Sequence, residues 1–515
     1  MQEVGELFER VGAAGEDDAG QVRVLGEDCV EAARQVQPLL EGERAARDVG
    51  ELLGLGLDEL IEVVMTMPPD TPGTLNRTVY ASIVAYLLQR NGFPETGQVL
   101  TANSTAALEG STGALTTPPP PVPAGRGGGF GGGATPGGTN TYRAITDFSP
   151  VTDAELANPD PGDWLSYRRT LDGQGYSPLD QITRDNVGDL RMVWTRDLAI
   201  GTGEITPLAY NGVLYVPQAS DVIQALDAVS GDLIWEYRRD IPEDLYEMVG
   251  GNARNNRNLA IFENLIINTS DDNFVFAIDA VTGEEVWETQ IFDYQVNSAT
   301  HSSGPIVADG RVISGRSCRP WGGPDACIIA AHDALTGEEL WRRRVIAAPG
   351  EPGNETWGDV PWEGRQHVGA WMVPSYDPEL ELIYMGTSVT SPAPKFYLHD
   401  PSNSYLYHNS TLALEVETGE IRWYYQHMVD HWDLDHPFER LLVDTRVSPN
   451  PDAVSWINPR IQPGEVRKVM TGIPGKTGLV YTLDRETGEF LWATPTVRQN
   501  VIDNIDGATG AVTVN

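Results

Sequence analysis

The stretch "ALDAVSGDLIW" at residues 225–235 is the main indication of the fold, because a closely similar stretch occurs four more times in the chain. The later copies all finish on tryptophan: "AIDAVTGEEVW" at 277–287, "AHDALTGEELW" at 331–341, "ALEVETGEIRW" at 413–423 and "TLDRETGEFLW" at 482–492. In most copies a strand is expected to end at an Asp whose carboxylate accepts N–H groups of the turn, while the Gly supplies the positive φ that the turn needs. A second strand then carries the Trp to the same place in every copy.

Self-similarity at about 40 to 80 residues, with each unit rich in strands, is typical of a β-propeller. Each Trp would then pack between neighbouring blades. A β-sandwich with recurrent hairpins also explains the turns, but it does not explain the repeated Trp. We therefore predict an all-β propeller.

The composition changes sharply twice along the chain. Residues 1–108 carry apolar residues at helical spacing and predict a small all-α domain. Residues 109–142 are rich in Pro and Gly and predict a linker. From residue 143 to 515 short β-rich runs alternate with Asp, Gly and Asn turns, so this region holds the predicted propeller.

Charge and hydropathy exclude two classes of partner. Lys and Arg number 35 against 74 Asp and Glu, and the net charge of -39 repels nucleic acid and anionic lipid headgroups. No run of about 18 apolar residues exists, so no transmembrane segment is predicted. The first residues show no secretory leader, which we expect to have been removed or to lie outside this chain.

Two of the three cysteines, Cys318 and Cys327, flank the loop "RPWGGPDA". They are a candidate disulfide, which would indicate an oxidising compartment. The alternative is a pair of buried thiols.

The repeats resemble the tryptophan docking motifs of the quinoprotein alcohol dehydrogenases, the pyrroloquinoline quinone (PQQ) enzymes related to methanol dehydrogenase. The resemblance extends to "DWLSYRRTLDGQGYSPLDQITRDNVGDLRMVW" at 163–194, which is similar to the segment that completes the last blade in that family. Such propellers have eight blades. This chain has five full motifs and an opening Trp194, so we expect the last blades to be missing and the ring to be incompletely closed.

PQQ is a flat tricyclic quinone with three carboxylates, so its site needs an aromatic plate and fixed cations. The resemblance implies five contact residues: Glu204 in "GTGEITPL", Arg257 in "NARNNRNLAIF", Ser302 in "THSSGPIV", Trp371 in "HVGAWMVPSYDP" and Lys476 in "IPGKTGLVYTLDR". Arg254 is the runner-up to Arg257. Taken singly, Glu204 is expected to be a surface acid, Trp371 a core residue and Lys476 a solvated turn lysine. Together they occur in the order and spacing of the family's motifs, which favours a site.

The stretch "HMVDHWDLDHPFERLLVD" at 427–444 carries the expected chemistry. By resemblance Asp433 is the catalytic base, and Lys476 is the basic catalytic residue beside the quinone oxygens. Asp435 resembles the extra carboxylate of lanthanide-using members, so Asp433 and Asp435 are predicted to hold a Ca²⁺ or lanthanide ion. The alternative is a pair of exposed turn aspartates.

The chain departs from the methanol enzymes at three places. No acid lies between Asp309 and Asp325, where those enzymes supply a metal ligand. Val389 occupies the position of a liganding Asn, and no adjacent cysteine pair lies near "VGGNARN". The remaining metal ligands and the substrate specificity are therefore open, with Thr390 only a guess.

The stretch "MTMPPDTPGTLNRTVYASIVAYLLQRNGFP" at 65–94 resembles the last part of a c-type cytochrome domain, with Met67 in the place of the axial ligand. Covalent haem needs C-x-x-C-H, which the sequence lacks, and no His precedes residue 301. We expect a degenerate cytochrome c-like domain without haem c.

Together these features predict a periplasmic PQQ-dependent alcohol dehydrogenase. It would oxidise a small alcohol to an aldehyde or ketone and pass electrons to a cytochrome c-type acceptor. The alternative is a non-catalytic propeller scaffold that keeps the Trp repeats and binds no quinone.

Overall fold

The computed structural model describes residues 138–199, 201, 203–249, 256–301, 303–318, 322–365, 368–389, 403–429 and 434–515. All of them belong to one unit of the chain, Gly133–Asn515. The predicted helical domain of residues 1–108, with Met67, lies outside the described residues, as does most of the predicted linker. Among the described helices none is long and apolar enough to cross a membrane.

Five antiparallel sheets of four or five strands dominate the described residues. The first contains β1 (Gly138–Thr141), β2 (Leu208–Tyr210), β3 (Val213–Gln218), β4 (Val222–Asp227) and β5 (Leu233–Arg238). The second contains β6 (Ala260–Phe262), β7 (Leu265–Thr269), β8 (Phe274–Asp279) and β9 (Glu285–Gln290). The third contains β11 (Ile306–Ala308), β12 (Arg311–Gly315), β14 (Ile328–Asp333) and β15 (Glu339–Arg344).

The fourth sheet contains β16 (Ser375–Asp377), β17 (Leu382–Gly386), β18 (Ser410–Glu415) and β19 (Ile421–Gln426). The fifth contains β20 (Leu441–Arg446), β21 (Trp456–Ile457), β22 (Val466–Gly472), β23 (Leu479–Asp484) and β24 (Phe490–Pro495). Two short antiparallel pairs complete the strands: β10 (Ala299–Thr300) with β13 (Ser317–Cys318), and β25 (Ile502–Ile505) with β26 (Val512–Val514).

Helices are few in the described part of the chain. They are α1 (Asp153–Ala157), α2 (Leu245–Val249) and short 3₁₀ turns at Val187–Asp189, Ala219–Asp221, Pro324–Ala326, Asn354–Trp357 and Trp362–Gly364. Apart from the added edge strands β1 and β21, the strands of each large sheet are neighbours in chain order, which is the up-and-down pattern of a propeller blade. The predicted propeller-like, mostly β fold is therefore confirmed, while the number of blades in a complete ring stays a prediction.

Each repeat supplies the last two long strands of a sheet, and its Trp packs on the glycine of a neighbouring repeat. Trp235 pairs with Ala225 across β4 and β5, and its ring lies against Gly283. A Cβ on Gly283 would come within 2.7 Å of that ring, and the φ of this glycine is +76°. Only glycine fits such a position without strain. The same contact joins Trp194 to Gly231, Trp287 to Gly337, Trp341 to Gly419 and Trp423 to Gly488.

The fifth motif differs at this contact. The next turn glycine, Gly510, lies against Phe490 and Tyr425 rather than against Trp492. Trp194, at the other end, belongs to no described strand although its ring docks on Gly231. The inter-blade role predicted for the repeated Trp thus holds for four of the five full motifs.

The acidic residue of the repeat closes its turn as predicted. The Oδ1 atom of Asp227 accepts the N–H groups of Val229 and Ser230 at 3.0 and 2.9 Å. Asp279, Asp333 and Asp484 accept the equivalent pairs of turn N–H groups. A carboxylate that satisfies two turn donors stabilises the connection between the two strands.

One segment before β2 runs across the first strands of the sheets. Val151 pairs with Glu263 beside β6, and Trp164 pairs with Ala209 in β2. The N–H of Tyr376 in β16 donates to Leu171 at 2.8 Å, and that of Leu442 in β20 donates to the next residue, Asp172, at 2.8 Å. These bonds connect sheets that are distant in sequence.

Two further features concern the predicted boundaries. Residues Gly138–Thr141 pair with β5 as strand β1, so the predicted linker of 109–142 overlaps the propeller; its Pro/Gly composition did not indicate a strand. Cys318 and Cys327 form a disulfide with their Cα atoms 4.6 Å apart, and both residues are fully buried.

Candidate active site

The predicted site residues share one edge of the sheets. In an antiparallel four-strand meander, the segment before the first strand and the loop between the second and third strands lie at the same edge. Glu204, Arg257, Trp371 and Asp435 precede β2, β6, β16 and β20, and Lys476 lies between β22 and β23. The topology alone therefore brings these side chains to a common face.

Arg257 and Trp371 form one side of the site. Arg257 is 9% exposed, and its guanidinium carbon lies 5.2 Å from the centre of the Trp371 ring. The guanidinium also pairs with the carboxylate of Glu204, whose side chain is 52% exposed. A backbone bond of 2.7 Å from Thr206 to the carbonyl of Arg257 holds the two segments together. A planar cation is thus fixed beside an aromatic ring.

Two residues that the sequence did not single out also hold Trp371, one at its ring and one at its main-chain carbonyl. Phe438 meets it edge to face, with ring centres 5.5 Å apart and planes at 87°. The hydroxyl of Ser303 donates to the Trp371 carbonyl at 2.6 Å. Trp371 is only partly buried, so part of its surface is accessible at the site. An aromatic residue three positions after Asp435 was the available signal for Phe438.

Asp435 and Lys476 form the other side of the site. The Lys476 Nζ lies 3.0 Å from Asp435 Oδ2, and the N–H of Val389 donates to Oδ1 at 3.0 Å. Asp435 is 8% exposed, whereas 36% of the Lys476 side chain is exposed. The carboxylate is therefore anchored from both oxygens, and the ammonium group reaches the open side.

The buried guanidinium of Arg440 holds the loop that carries Asp435 and Phe438. Arg440 donates to the carbonyl of His436 at 2.8 Å, to the carbonyl of Phe438 and to the hydroxyl of Thr411 at 2.9 Å. Burial lowers the pKa of Arg440 to about 9, so the group keeps its charge at neutral pH. Rigid support of this kind keeps site residues in place before a ligand binds.

His436 fills the space behind Asp435. Its ring stacks on His427 with centres 5.0 Å apart and planes at 6°. Burial, followed by the charge of Arg440, lowers the pKa of His436 to about 3, so the imidazole is neutral at physiological pH. Two stacked neutral rings can share an apolar site without repulsion between charges.

The structure joins five of the predicted residues and leaves two outside the described part. Glu204, Arg257 and Trp371 connect through Phe438 to the loop of Asp435, which binds Lys476. Ser302 and Asp433 lie outside the described residues, as do Arg254 and Thr390. Asp433 is next but one to Asp435 in the chain.

The described residues fit a flat, anionic cofactor. Trp371 offers an aromatic plate with an accessible part, Arg257 supplies a fixed cation beside it, and Lys476 supplies a second cation at the same edge of the sheets. Carboxylates are bound well by such cations, and planar rings by aromatic plates. PQQ has both features, so the group and the side chains match.

The fit to a metal ion rests on fewer described groups. Within the described ranges, no three His, Cys, Asp or Glu side chains converge on one point. Asp435 is the one carboxylate of the predicted pair that is described, and each of its oxygens accepts one N–H bond. A carboxylate oxygen has a second lone pair, so Asp435 can still contribute one hard ligand.

The propeller-like sheets thus bring an aromatic plate and two cations to one edge, and the family model that the chain matches agrees with this architecture. Residues 164–501 match the family model described as PQQ: glucose/ethanol/alcohol dehydrogenase, beta-propeller domain. The chain belongs to this family, as the sequence resemblance indicated.

Known relatives agree with this membership. The dehydrogenase subunit of alcohol dehydrogenase (quinone) from Komagataeibacter europaeus is 31% identical over 72% of this chain and 51% of its own length. The 1-butanol dehydrogenase (cytochrome c) of Thauera butanivorans is 30% identical over 68% of this chain and 50% of its own length. The chain thus spans about half the length of these relatives.

Two solved structures are similar. The quinohaemoprotein alcohol dehydrogenase ADHIIG of Pseudomonas putida HK5 superposes with a TM-score of 0.62 at 31% identity, over 72% of this chain and 54% of that one. A europium-containing methanol dehydrogenase superposes with a TM-score of 0.60 at 25% identity, over 70% of this chain and 63% of that one.

Proposed function

We propose that this protein oxidises a small alcohol to an aldehyde or ketone with PQQ as cofactor. The observation that carries the proposal is the continuous set Glu204–Arg257–Trp371–Phe438, joined through the Phe438 loop to Asp435 and Lys476. The names of the relatives, which are alcohol dehydrogenases that use a quinone, support the reaction class.

PQQ, when bound, supplies an electrophilic quinone carbonyl that accepts a hydride from the alcohol carbon. Trp371 supports the flat ring system, and Arg257 and Lys476 bind its negatively charged groups. Ser302 adds a hydroxyl contact. The exposed carboxylate of Glu204 orients Arg257 and provides one hydrogen-bond acceptor at the rim.

Asp433 is proposed as the general base that takes the hydroxyl proton of the alcohol. Such a positioned base typically contributes about 10² to 10⁴ in rate. Lys476 is its basic counterpart beside the quinone oxygens, and its ammonium group lies on the open side of the site.

A Ca²⁺ or lanthanide ion held by Asp433 and Asp435 is the second part of the proposal. Two carboxylates two residues apart repel each other unless a cation lies between them, and hard oxygen ligands favour such ions over Zn²⁺. The name of one similar structure, a europium-containing methanol dehydrogenase, supports the binding of such an ion.

Electrons are proposed to leave for a cytochrome c-type acceptor, in line with the name of the 1-butanol dehydrogenase relative. We place the protein in the periplasm, where an oxidising environment suits the Cys318–Cys327 disulfide. The N-terminal region is proposed to carry no haem c, since the sequence has no C-x-x-C-H motif.

Dye-linked alcohol oxidation tests the proposal. Wild type, Asp433→Asn and Asp435→Ala are each reconstituted with PQQ and either Ca²⁺ or La³⁺, with the exposed Asp452→Asn as control. We expect Asp433→Asn to lose about 10² to 10⁴ in rate, and Asp435→Ala to need more metal, with the larger effect for La³⁺. Undiminished turnover in Asp433→Asn would end the base assignment, and metal-independent turnover in every protein would end the role of the cation.

A further inference from the structure

A second group of buried titratable side chains lies at the same edge of the sheets as the site. Asp221 follows β3, Asp271 follows β7, Arg316 follows β12, and His301 precedes β11. All four are at most 3% exposed. None of them belongs to the predicted set of quinone contacts, although His301 is the neighbour of Ser302 in the chain.

His301 connects this cluster to the site. Its Nδ1 lies 3.2 Å from the Thr269 hydroxyl and 3.2 Å from the carbonyl of Ser303. Ser303 is the residue whose hydroxyl binds the Trp371 carbonyl. The charge of Arg257 also reaches His301 and helps to lower its pKa. The His301 imidazole is therefore linked through Ser303 to the side of the site that Arg257 and Trp371 form.

The other nitrogen of His301 faces an acid. Nε2 lies 3.7 Å from Asp271 Oδ1, and it has no hydrogen-bond partner among the described residues. Closing this gap by about 0.5 Å brings the pair to hydrogen-bond distance. The Nε2 atom of the buried His301 ring thus faces the buried carboxyl group of Asp271.

The Asp271 carboxyl group also contacts Tyr246, which is less buried. The hydroxyl of Tyr246 lies 3.0 Å from Asp271 Oδ2 and 3.1 Å from the hydroxyl of Ser220. Tyr246 and Ser220 are both half-buried. A line of exchangeable groups, with one gap of 3.7 Å between His301 and Asp271, therefore runs from the interior at His301 to the half-buried Ser220.

The charges around His301 keep its ring neutral. Burial is the main cause, and the charges of Arg316 and Arg257 add to it, lowering the pKa of His301 to about 3; the Ser303 and Ser270 carbonyls oppose the effect. Arg316 itself remains charged, although burial lowers its pKa to about 10. A neutral imidazole carries one proton and has one free lone pair.

Each of the two neutral forms of this ring satisfies a different set of neighbours. With the proton on Nδ1, the ring donates to the Ser303 carbonyl. With the proton on Nε2, the N–H faces the Asp271 carboxyl group 3.7 Å away, while Nδ1 accepts from Thr269. Switching between the two forms moves a proton from one side of the ring to the other.

A second buried acid, Asp221, also contacts this line of exchangeable groups. Asp221 Oδ2 accepts the N–H of Asp271 at 2.8 Å. Burial raises the pKa of Asp221 to about 7, and the nearby Asp272 adds to the rise, while Arg239 and Arg316 oppose it. A carboxyl group that gains and loses its proton near neutral pH lies beside the line.

We propose that His301, Asp271 and Tyr246 form a proton-transfer route from the active site to the surface near Ser220. The inference rests on the proposed function. Oxidation of an alcohol to a carbonyl compound releases two protons and two electrons, and the electrons leave through the quinone to the external acceptor. The protons must leave a site that Arg257, Trp371 and Lys476 line. This route takes at least one of the two protons to solvent.

The link between His301 and Asp271 can be tested without cofactor. Long-range ¹H–¹⁵N NMR correlations of protein with labelled histidine report which ring nitrogen carries the proton, with His301→Gln assigning the signal. In wild type we expect both nitrogens to show averaged shifts. In Asp271→Asn, the amide can donate to Nε2, so the ring is expected to settle with its proton on Nδ1. Identical His301 shifts in the two proteins would overturn the route.

Turnover of the PQQ-loaded protein gives the second readout. Asp271→Asn is expected to bind PQQ as wild type does, to turn over up to about 10²-fold more slowly and to show a larger solvent isotope effect. Asp271→Glu should recover part of the rate, and Asp232→Asn, at an exposed acid, should behave as wild type. Wild-type turnover with an unchanged isotope effect in Asp271→Asn refutes the route. Failure of every protein to bind PQQ instead refutes the proposed function, and the NMR result still decides the His301–Asp271 link.

Discussion

The Nζ of Lys476 binds Asp435 Oδ2 at 3.0 Å, and the main-chain N–H of the same lysine binds the Asp435 carbonyl at 3.0 Å. Two bonds between the same two residues fix the loop after β22 to the loop before β20. The pairing holds the Asp435 carboxylate in place, and it leaves the partly exposed ammonium group at the open side of the site.

Removing the ammonium group should weaken cofactor binding. In Lys476→Met we expect the affinity for PQQ to fall about 10- to 100-fold, because a hydrogen bond to a charged group contributes about 1.5 to 3 kcal/mol. Isothermal titration of the protein with PQQ measures the change. Lys468→Met is the matched control, because Lys468 pairs with Glu379 and Asp444 instead. Equal losses in the two variants would contradict a specific role for Lys476.

Arg257 should not be replaceable by lysine. Its flat guanidinium lies over Trp371 and pairs with Glu204, and an ammonium group cannot reproduce the fork or the stacking. We expect Arg257→Lys to bind PQQ at least about tenfold more weakly, which corresponds to roughly 1.4 kcal/mol. Arg311→Lys, at a surface ion pair with Asp309, serves as control in the same titration. Wild-type affinity in Arg257→Lys would show that only the charge matters.

The docking contacts predict a graded effect on stability. Trp235 is completely buried on Gly283, whereas Trp492 is half-buried and no turn glycine lies against its ring in the described residues. Trp235→Ala should cost about 3 to 5 kcal/mol of unfolding free energy, and Trp492→Ala clearly less. Gly283→Ala should also destabilise, since it needs φ +76° and meets the Trp235 ring at 2.7 Å. Urea denaturation measures all three; equal losses for the two Trp variants would be inconsistent with docking.

Much of this fold was predictable because its repeat encodes both a turn and a packing contact. The Asp-x-x-Thr-Gly turn and the Trp are local features, and they identified the sheets around Trp235, Trp287, Trp341 and Trp423. Strand β1 was missed because its residues, Gly138–Thr141, are polar and pair with β5 almost a hundred residues later. Only tertiary structure gives such a segment a partner.

The site was predictable to a different extent. Glu204, Arg257, Trp371, Asp435 and Lys476 were singled out from motifs, and the structure joins them in two contacting groups at one edge of the sheets; their roles in a site stay a prediction. Phe438 and Ser303 were missed because an aromatic residue three positions after Asp435, or a single hydroxyl, is too weak a signal by itself; their importance comes from their contacts with the Trp371 ring and the Trp371 carbonyl. The line from His301 through Asp271 to Tyr246 joins three segments that are far apart in the sequence, so no single stretch of sequence indicates it.

Buried neutral histidine makes the propeller sensitive to acid. His332 is fully buried and, within the described residues, neither ring nitrogen has a hydrogen-bond partner; burial lowers its pKa to about 4. Because the unfolded chain takes up the proton near pH 6.5, stability is complete above that pH and is lost as the pH falls toward 4.

His332→Gln removes this group and should reduce the loss of stability between pH 6.5 and 4 by up to about 3 kcal/mol. Urea denaturation at several pH values gives the slope for both proteins. His301 has a similarly lowered pKa, so part of the acid sensitivity should remain in the variant. An unchanged slope in His332→Gln would mean that this ring is not buried in its neutral form.

Direct titration of the purified protein with PQQ, followed by the quinone absorbance and by the fluorescence of its tryptophans, tests the proposed site most directly. The arrangement of Arg257, Trp371 and Lys476 predicts saturable binding of one PQQ per chain, with quenching that weakens strongly in an Arg257→Ala/Lys476→Met double variant. Absence of saturable binding, or equal binding by wild type and the double variant, would contradict the assignment of a quinone site to these residues.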